Sequence, residues 1–333
     1  MAKKSIKNEI LAQIGEKEML NRLKEFMDIG QIDDDTAIIK CSNNELLVNT
    51  DVLVEDVHFN ETTMTACDIG WKLIAANISD LNASGLNQLI GVTVALITPP
   101  ETKWDWIYNL YTGMKTGLDQ FGGKIIGGDC SKGKQKIISV TAFGSSGPLR
   151  LHRSNAKPGD YLITTGAHGL SRLGLGLLEY DPICQTAKLT ENLKRKAINA
   201  HQRPFPPIDK IQKLLNCKPI NLPWRAAGTD TSDGLLEALH SIAISSNCTA
   251  ILEYDNLPKP SDWPIGSTWD KWLLNGGEDY EVVLSLPPAW AEEWAKTEPS
   301  LKNIGKIVEG EPQVIWSNNA PINFKSYSDF KHF

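Results

Sequence analysis

Apolar residues return along this chain in two rhythms, and the switches between them mark out its elements. Met19, Leu20, Leu23, Phe26 and Met27 recur at threes and fours behind Gly15, which predicts one amphipathic helix. Ala37–Ile39 and Glu45–Val48 then read as short strands, and Asp68 is placed to cap a second helix through Trp71, Ile74 and Ile78 toward Gly85. The β-branched run Leu89–Ile97 stops at Pro99 and Pro100, as a strand does. A helix from about Lys103 to Phe121 ends at Gly122 and Gly123 and leads into strands Lys124–Ile126 and Lys136–Phe143.

The stretch 144–159, GSSGPLRLHRSNAKPG, is rich in turn formers and is the expected boundary between a domain at 1–149 and another at 150–333. The second half restarts with strand Tyr161–Thr164. Helices are expected after Gly169 and Asp233 and near Trp290, with strands at Ala250–Glu253 and Glu281–Leu284 and closing strands near Ile307 and Val314. Both halves read as mixed α/β, and a chain of 333 residues is long enough for two cores.

Composition narrows the setting. No apolar run approaches the roughly 18 residues of a membrane span, and the basic N-terminus lacks the apolar stretch of a secretory signal, so neither membrane nor export is expected. The six cysteines are scattered with no CxxC pair, which points away from zinc and disulfides and toward the cytoplasm. A net charge of −6 offers nothing to drive nucleic-acid binding.

Candidate chemistry lies in aspartates placed where strands are expected to give way to loops: IDDD at 32–35, LLVNTD at 46–51, KIIGGD at 124–129 and AAGTDTSDG at 226–234. Strand ends are where α/β enzymes build sites, yet an aspartate there is equally a turn former or helix cap. TSDG before LLEALHSIA gives Asp233 the form of an N-cap. Gly127, Gly128 and Gly228 would let backbone approach a bulky anion, and Asn77 and Asp80 share a helix face. If the carboxylates converge, each pair at ~6 Å repels by about 3 kcal/mol at an effective dielectric of ~20, so the cluster requires cations. Magnesium is the natural one, because it takes a few carboxylates together with waters and phosphates. There is no GxxxxGK[ST] loop, and GLGLLE at 174–179 lacks the third glycine of a dinucleotide fingerprint; its glycines are expected to serve close helix packing.

Taken in order, DDDTAI (33–38), NTDVLVEDVHF (49–59), GWKLIAANISDLNASG (70–85), IIGGD (125–129), HRSNAKPGD (152–160), TDTSDGL (229–235), GGEDYEVV (276–283) and the terminal FKHF resemble the thiamine-monophosphate kinase family, of the superfamily that includes aminoimidazole ribonucleotide synthetase and selenophosphate synthetase. The resemblance spans nearly the whole chain. It implies a PurM-like α/β architecture of two domains, with the N-terminal sheet pairing across a homodimer, and transfer of the ATP γ-phosphate to thiamine monophosphate.

By the same matching, Asp34, Asp51, Asp80, Asp129, Asp230 and Asp233 would hold several Mg2+ ions around the ATP phosphates, with Asn49 and Thr50 as neighbouring ligands. Asp33 and Asp35 stand as alternatives to Asp34, since this chain has Asp33 and Thr36 where the family has Gly and Ala. Tyr111, Gly128, Asp129, Arg153 and Ser232 would touch ATP; His58, Glu278 and Phe330 would touch thiamine monophosphate. No activated nucleophile is implied. The alternatives are another ATP enzyme of the superfamily, or a nucleotide or thiamine-phosphate sensor that kept the fold.

Overall fold

The computed structural model describes residues 45–322, with Asp34, Thr36, a strand at 37–40 and the isolated positions Glu18 and Asn21 before them. The expected helix through Met19 and Met27, apart from Asn21, and the tail bearing Phe330 lie outside the described residues. Strands β1 (Ala37–Lys40) and β2 (Glu45–Val54) precede helix α1 (Ala66–Ala83); β3 (Leu86–Thr98), α2 (Trp104–Phe121), β4 (Ile125–Lys132) and β5 (Ile137–Ser146) complete the first half. The second half runs β6 (Tyr161–Thr164), α3 (Leu170–Leu178), α4 (Pro182–Thr186), α5 (Glu191–Gln202), α6 (Ile208–Asn216), β7 (Ala227–Asp230), α7 (Leu235–Ser245) and β8 (Thr249–Leu252). It closes with α8 (Ser267–Asn275), β9 (Val282–Leu286), α9 (Pro288–Thr297), β10 (Lys302–Val308) and β11 (Gln313–Trp316).

The strands form two sheets, one of order β1-β2-β5-β3-β4 and one of order β11-β8-β10-β6-β9-β7. In the first, alternate residues Ile138, Val140 and Ala142 of β5 are buried beneath α1 and α2, while their neighbours Ser139, Thr141 and Phe143 face the other way. Helices α1 and α2 approach so closely that a Cβ on Gly113 would lie 1.9 Å from the Cys67 carbonyl oxygen, and one on Gly70 would lie 2.0 Å from that of Leu110. Of the glycines in 174–179, Gly174 does the same in the second half, since a Cβ on it would lie 2.1 Å from the Ala197 carbonyl oxygen, while Gly176 packs against the side chains of Cys184, Arg172 and Trp272.

Several boundaries differ from expectation for identifiable reasons. β2 does not end before Asn49 but runs on to Val54, because β5 supplies partners through Thr50↔Thr141 and Asp51↔Val140. β4 continues through Gly127 and Gly128, which pair in parallel with Thr93 and Val94, so Asp129 lies within a strand and not in a loop. Helix α1 is capped by Thr65, with Asp68 as the acidic third residue of a capping box. Asp233 is not a cap: the N-cap of α7 is Gly234, at φ 99°.

Candidate active site

Helix α1 is pinned to the first sheet by Ile69, Leu73, Ile74, Ile78 and Leu81, which leaves Lys72 and Ser79 to meet residues of the second half. Buried Asn49 on β2 donates through Nδ2 to Asp80 Oδ2 at 2.9 Å. Asp51, two residues along the strand, shares that face. From the second sheet, Asp230 ends β7 and accepts a 2.8 Å bond from Ser79 on one oxygen and a 2.8 Å bond from Ser232 on the other. Tyr280 stands among them, buried and at φ 51°. Burial first, and then the charges of Glu278, Asp51, Asp230 and Asp80, push its phenol well above the ordinary range. Four carboxylates carried by the two halves of the chain thus lie near enough for their charge to act on one phenol.

Glu278 sits at φ 55° after Gly276 and Gly277, and its amide donates to the Ser232 carbonyl at 2.6 Å. One carboxylate oxygen lies 2.6 Å from Lys72 Nζ, and the other 3.5 Å from His201 Nδ1. Burial alone would raise this acid; the Lys72 ammonium, His201 and His58 outweigh it and hold the carboxyl below its usual value. His201, buried and beside the Lys72 charge, is pushed down to about 4. His58 faces the same acid, its Nδ1 accepting from Val54 N at 3.2 Å.

Asp34 lies at the far rim with its side chain 2% exposed, 3.3 Å from Arg150 and 3.7 Å from both His152 and Arg153. Arg153 also donates through Nε to Thr229 Oγ1 at 3.2 Å, one residue from Asp230. The Asp34 carboxylate is therefore set between two guanidinium groups and an imidazole. Asp33 and Asp35 lie outside the described residues.

Other expected site residues are not brought into this cleft by the single chain. Thr50 faces the opposite side of the sheet, hydroxyl to hydroxyl with Thr141 at 2.8 Å. Asp129 pairs with Ala95, in the row of Val52 and Ser139, so it shares that opposite face. Between β2 and β4 lie three strand-to-strand steps, about 14 Å at the usual spacing. Gly128 is on the same edge strand, and half-buried Tyr111 on α2 senses Cys130 beside it, its phenol raised by burial and then by that thiol. Asp233 is exposed in the turn between β7 and α7, where Gly234 N bonds Thr231 O at 3.0 Å.

Sequence reasoning did not single out Lys72, Ser79, His201 or Tyr280. The signal for Lys72 was a lysine set among Ile69, Leu73 and Ile74 in an apolar helix; for Ser79 it was adjacency to Asp80. Nothing in HQRP or EDY announces that His201 and Tyr280 share one cleft.

Among the described residues no group of three His, Cys, Asp or Glu side chains forms a ready metal cage. The donors at the cleft are nonetheless hard oxygens, and Asn49 Oδ1 is buried there without a hydrogen-bond partner, a leftover oxygen beside Asp80. That set fits a hydrated magnesium ion completed by phosphate oxygens, which needs few protein ligands.

The chain matches the family models for AIR synthase related protein, N-terminal domain over residues 33–146 and C-terminal domain over residues 157–317. It is 56% identical over 333 residues to a thiamine-monophosphate kinase of Prochlorococcus marinus, covering 100% of both chains. To that of Synechococcus elongatus it is 39% identical over 85% of each. Among solved structures it resembles AaThiL complexed with AMPPCP and TMP, with a TM-score of 0.84 and 27% identity over 99% of this chain and 100% of that one. A HypE–HypF complex chain shares the fold at a TM-score of 0.70 and 18% identity, covering 90% of this chain and 95% of that one.

Proposed function

The chain belongs to the thiamine-monophosphate kinase family, and from that premise we propose that it transfers the γ-phosphate of ATP to thiamine monophosphate, giving thiamine diphosphate and ADP. The observation that carries the reading beyond likeness is the convergence of Asp51, Asp80, Asp230 and Glu278 around Tyr280. A phosphate oxygen of thiamine monophosphate attacks the γ-phosphorus, and the bond from that phosphorus to the β,γ-bridging oxygen breaks as ADP leaves. The attacking oxygen is already anionic, so no strong base is needed, and positioning with charge neutralisation supplies the catalysis.

Asp51, Asp80 and Asp230, with Asn49, would hold Mg2+ against the ATP phosphates, and Asp34, Thr50, Asp129 and Asp233 belong to the same set by family matching. Bound there, magnesium would neutralise charge on the polyphosphate. Arg153 and Ser232 border Thr229 and Asp230 and serve the phosphates; Tyr111 and Gly128, outside the cleft of the single chain, are assigned to the nucleotide by family matching alone. Glu278 and His58 face the thiamine moiety, with Phe330 of the tail assigned there by matching alone. Five described cysteines are free thiols, which supports a reducing, cytoplasmic setting. No helix among the described residues is long and apolar enough to cross a membrane.

A homodimer is part of the proposal. The sheet face opposite α1 and α2 bears Val48, Val52, Phe143, Ala95 and Ile97, and Val52 is 43% exposed. A second copy laid on it would cover that apolar face, which also carries Thr50 and Asp129.

The test is to incubate the protein with MgATP and a panel of acceptors: thiamine monophosphate, thiamine, aminoimidazole precursors and selenide. Thiamine diphosphate formed in step with ADP is expected from the first alone. Binding without ADP release would point to a sensor, and turnover on another acceptor to a different enzyme of the superfamily.

A further inference from the structure

Lys72 is 0% exposed in the middle of α1, and among the described residues its ammonium meets one carboxylate, that of Glu278, at 2.6 Å. A lysine with no access to water is costly unless paired, so its position is set by what it does for its partner. The partner comes from the other half of the chain, on a left-handed residue whose amide is tied to Ser232. His201 adds a second contact to the same carboxylate and itself accepts or donates at 3.2 Å with Ser171 Oγ. Both oxygens of Glu278 are thereby engaged from elements outside its own loop.

We propose that Lys72 is a positioning residue for thiamine-phosphate recognition: it fixes the orientation and charge of Glu278 across the two halves of the molecule without itself being required for ATP binding. This rests on the reading of Glu278 as a substrate-facing acid. The groups facing Glu278 are Lys72 from α1, His201 from α5, His58 from the turn after β2 and Tyr280 from its own loop. Lys72 brings the nearer nitrogen, 2.6 Å from the carboxylate against 3.5 Å for His201. His201, pushed down in pKa by burial and by Lys72, is uncharged at neutral pH.

The experiment is a double-mutant cycle on the full chain with Lys72→Met, Glu278→Gln and the double variant, with Lys72→Arg as the conservative control. For each, kcat and KM are measured separately for thiamine monophosphate and ATP. Lys72→Met is expected to lower kcat/KM for thiamine monophosphate on the order of a hundredfold, the usual scale for breaking a buried charge pair, with KM for ATP within about threefold of wild type. The double variant should match Glu278→Gln within about twofold, because Lys72 acts only through that acid. It should also unfold at a higher temperature than Lys72→Met, since a neutral pair replaces an orphaned carboxylate. Lys72→Arg should recover part of the thiamine monophosphate term. Losses that multiply in the double variant, or that fall equally on both substrates, overturn the inference. If Lys72→Met does not fold, the comparison of the double variant with Glu278→Gln still decides. Wild-type protein that makes no thiamine diphosphate would instead overturn the function itself.

Discussion

At the scale of single residues, aspartate is the informative letter and its partners are the silent ones. Asp51, Asp80 and Asp230 are candidates in the sequence, but Asp51 and Asp230 alone read as turn formers and Asp80 as one polar position on a helix face. What distinguishes them is that Asn49, Ser79 and Ser232 point hydrogen bonds at Asp80 and Asp230, and such long-range pairings leave no local trace. Asp230→Asn keeps size and acceptor oxygen but removes the charge. It is expected to reduce kcat by at least about a hundredfold and raise the magnesium concentration needed for half-maximal rate, with unfolding free energy changed by about 1 kcal/mol or less. Normal turnover in that variant would remove Asp230 from the site. His201 gives a second test. Its folded pKa near 4 lies below the ordinary 6.5, so its contribution to stability is full above 6.5 and is lost as pH falls toward 4. The loss amounts to about 3 kcal/mol at most. Urea midpoints measured from pH 7.5 to 4.5 should therefore fall less steeply in His201→Gln than in wild type.

At the scale of elements, the strong helices and β-branched strands were legible and the polar ones were not. α2 lies within a residue of its expected span. α5, ENLKRKAINAHQ, buries only Leu193, Ala197 and His201, too thin a stripe to stand out from a polar segment. β2 and β4 were cut short because Asn, Asp and Gly are poor strand formers; the pairing partners that override propensity are far away in sequence. The α1–α2 contact rests on backbone touching backbone at Gly70 and Gly113. Gly113→Ala should cost about 3 kcal/mol, because no side chain can yield to the added methyl and the helices must part. Gly122→Ala, where a Cβ meets nothing within 4 Å but φ is 91°, tests conformation instead and should cost about 1 kcal/mol. Denaturant titrations of the two variants separate the effects.

At the scale of the whole molecule, the arrangement of two sheets followed from the alternation of strand and helix signals, whereas the meeting of the two halves did not. Association of copies can be tested at Val52, which sits mid-strand on the helix-free face. If copies associate through this face as proposed, Val52→Arg should lower the sedimentation coefficient to that of a monomer, with helix content unchanged; a coefficient equal to that of wild type would remove this face from any interface.

Helix α1 and its flanks belong by sequence to the first half, yet they bind the second at many points. Trp71 Nε1 donates to the Pro204 carbonyl at 2.7 Å, Gln202 to that of Thr63 at 2.7 Å, and Arg203 reaches Asp68 at 2.6 Å, besides the Lys72 and Ser79 bonds. Two lobes joined only by a linker would melt separately, each with its own enthalpy. Lobes that share a helix must lose it together, since freeing either one strands buried charge on the other. Differential scanning calorimetry should accordingly show a single endotherm whose calorimetric and van't Hoff enthalpies agree per cooperative unit, and amides of α1 should exchange with deuterium at the rate set by global unfolding.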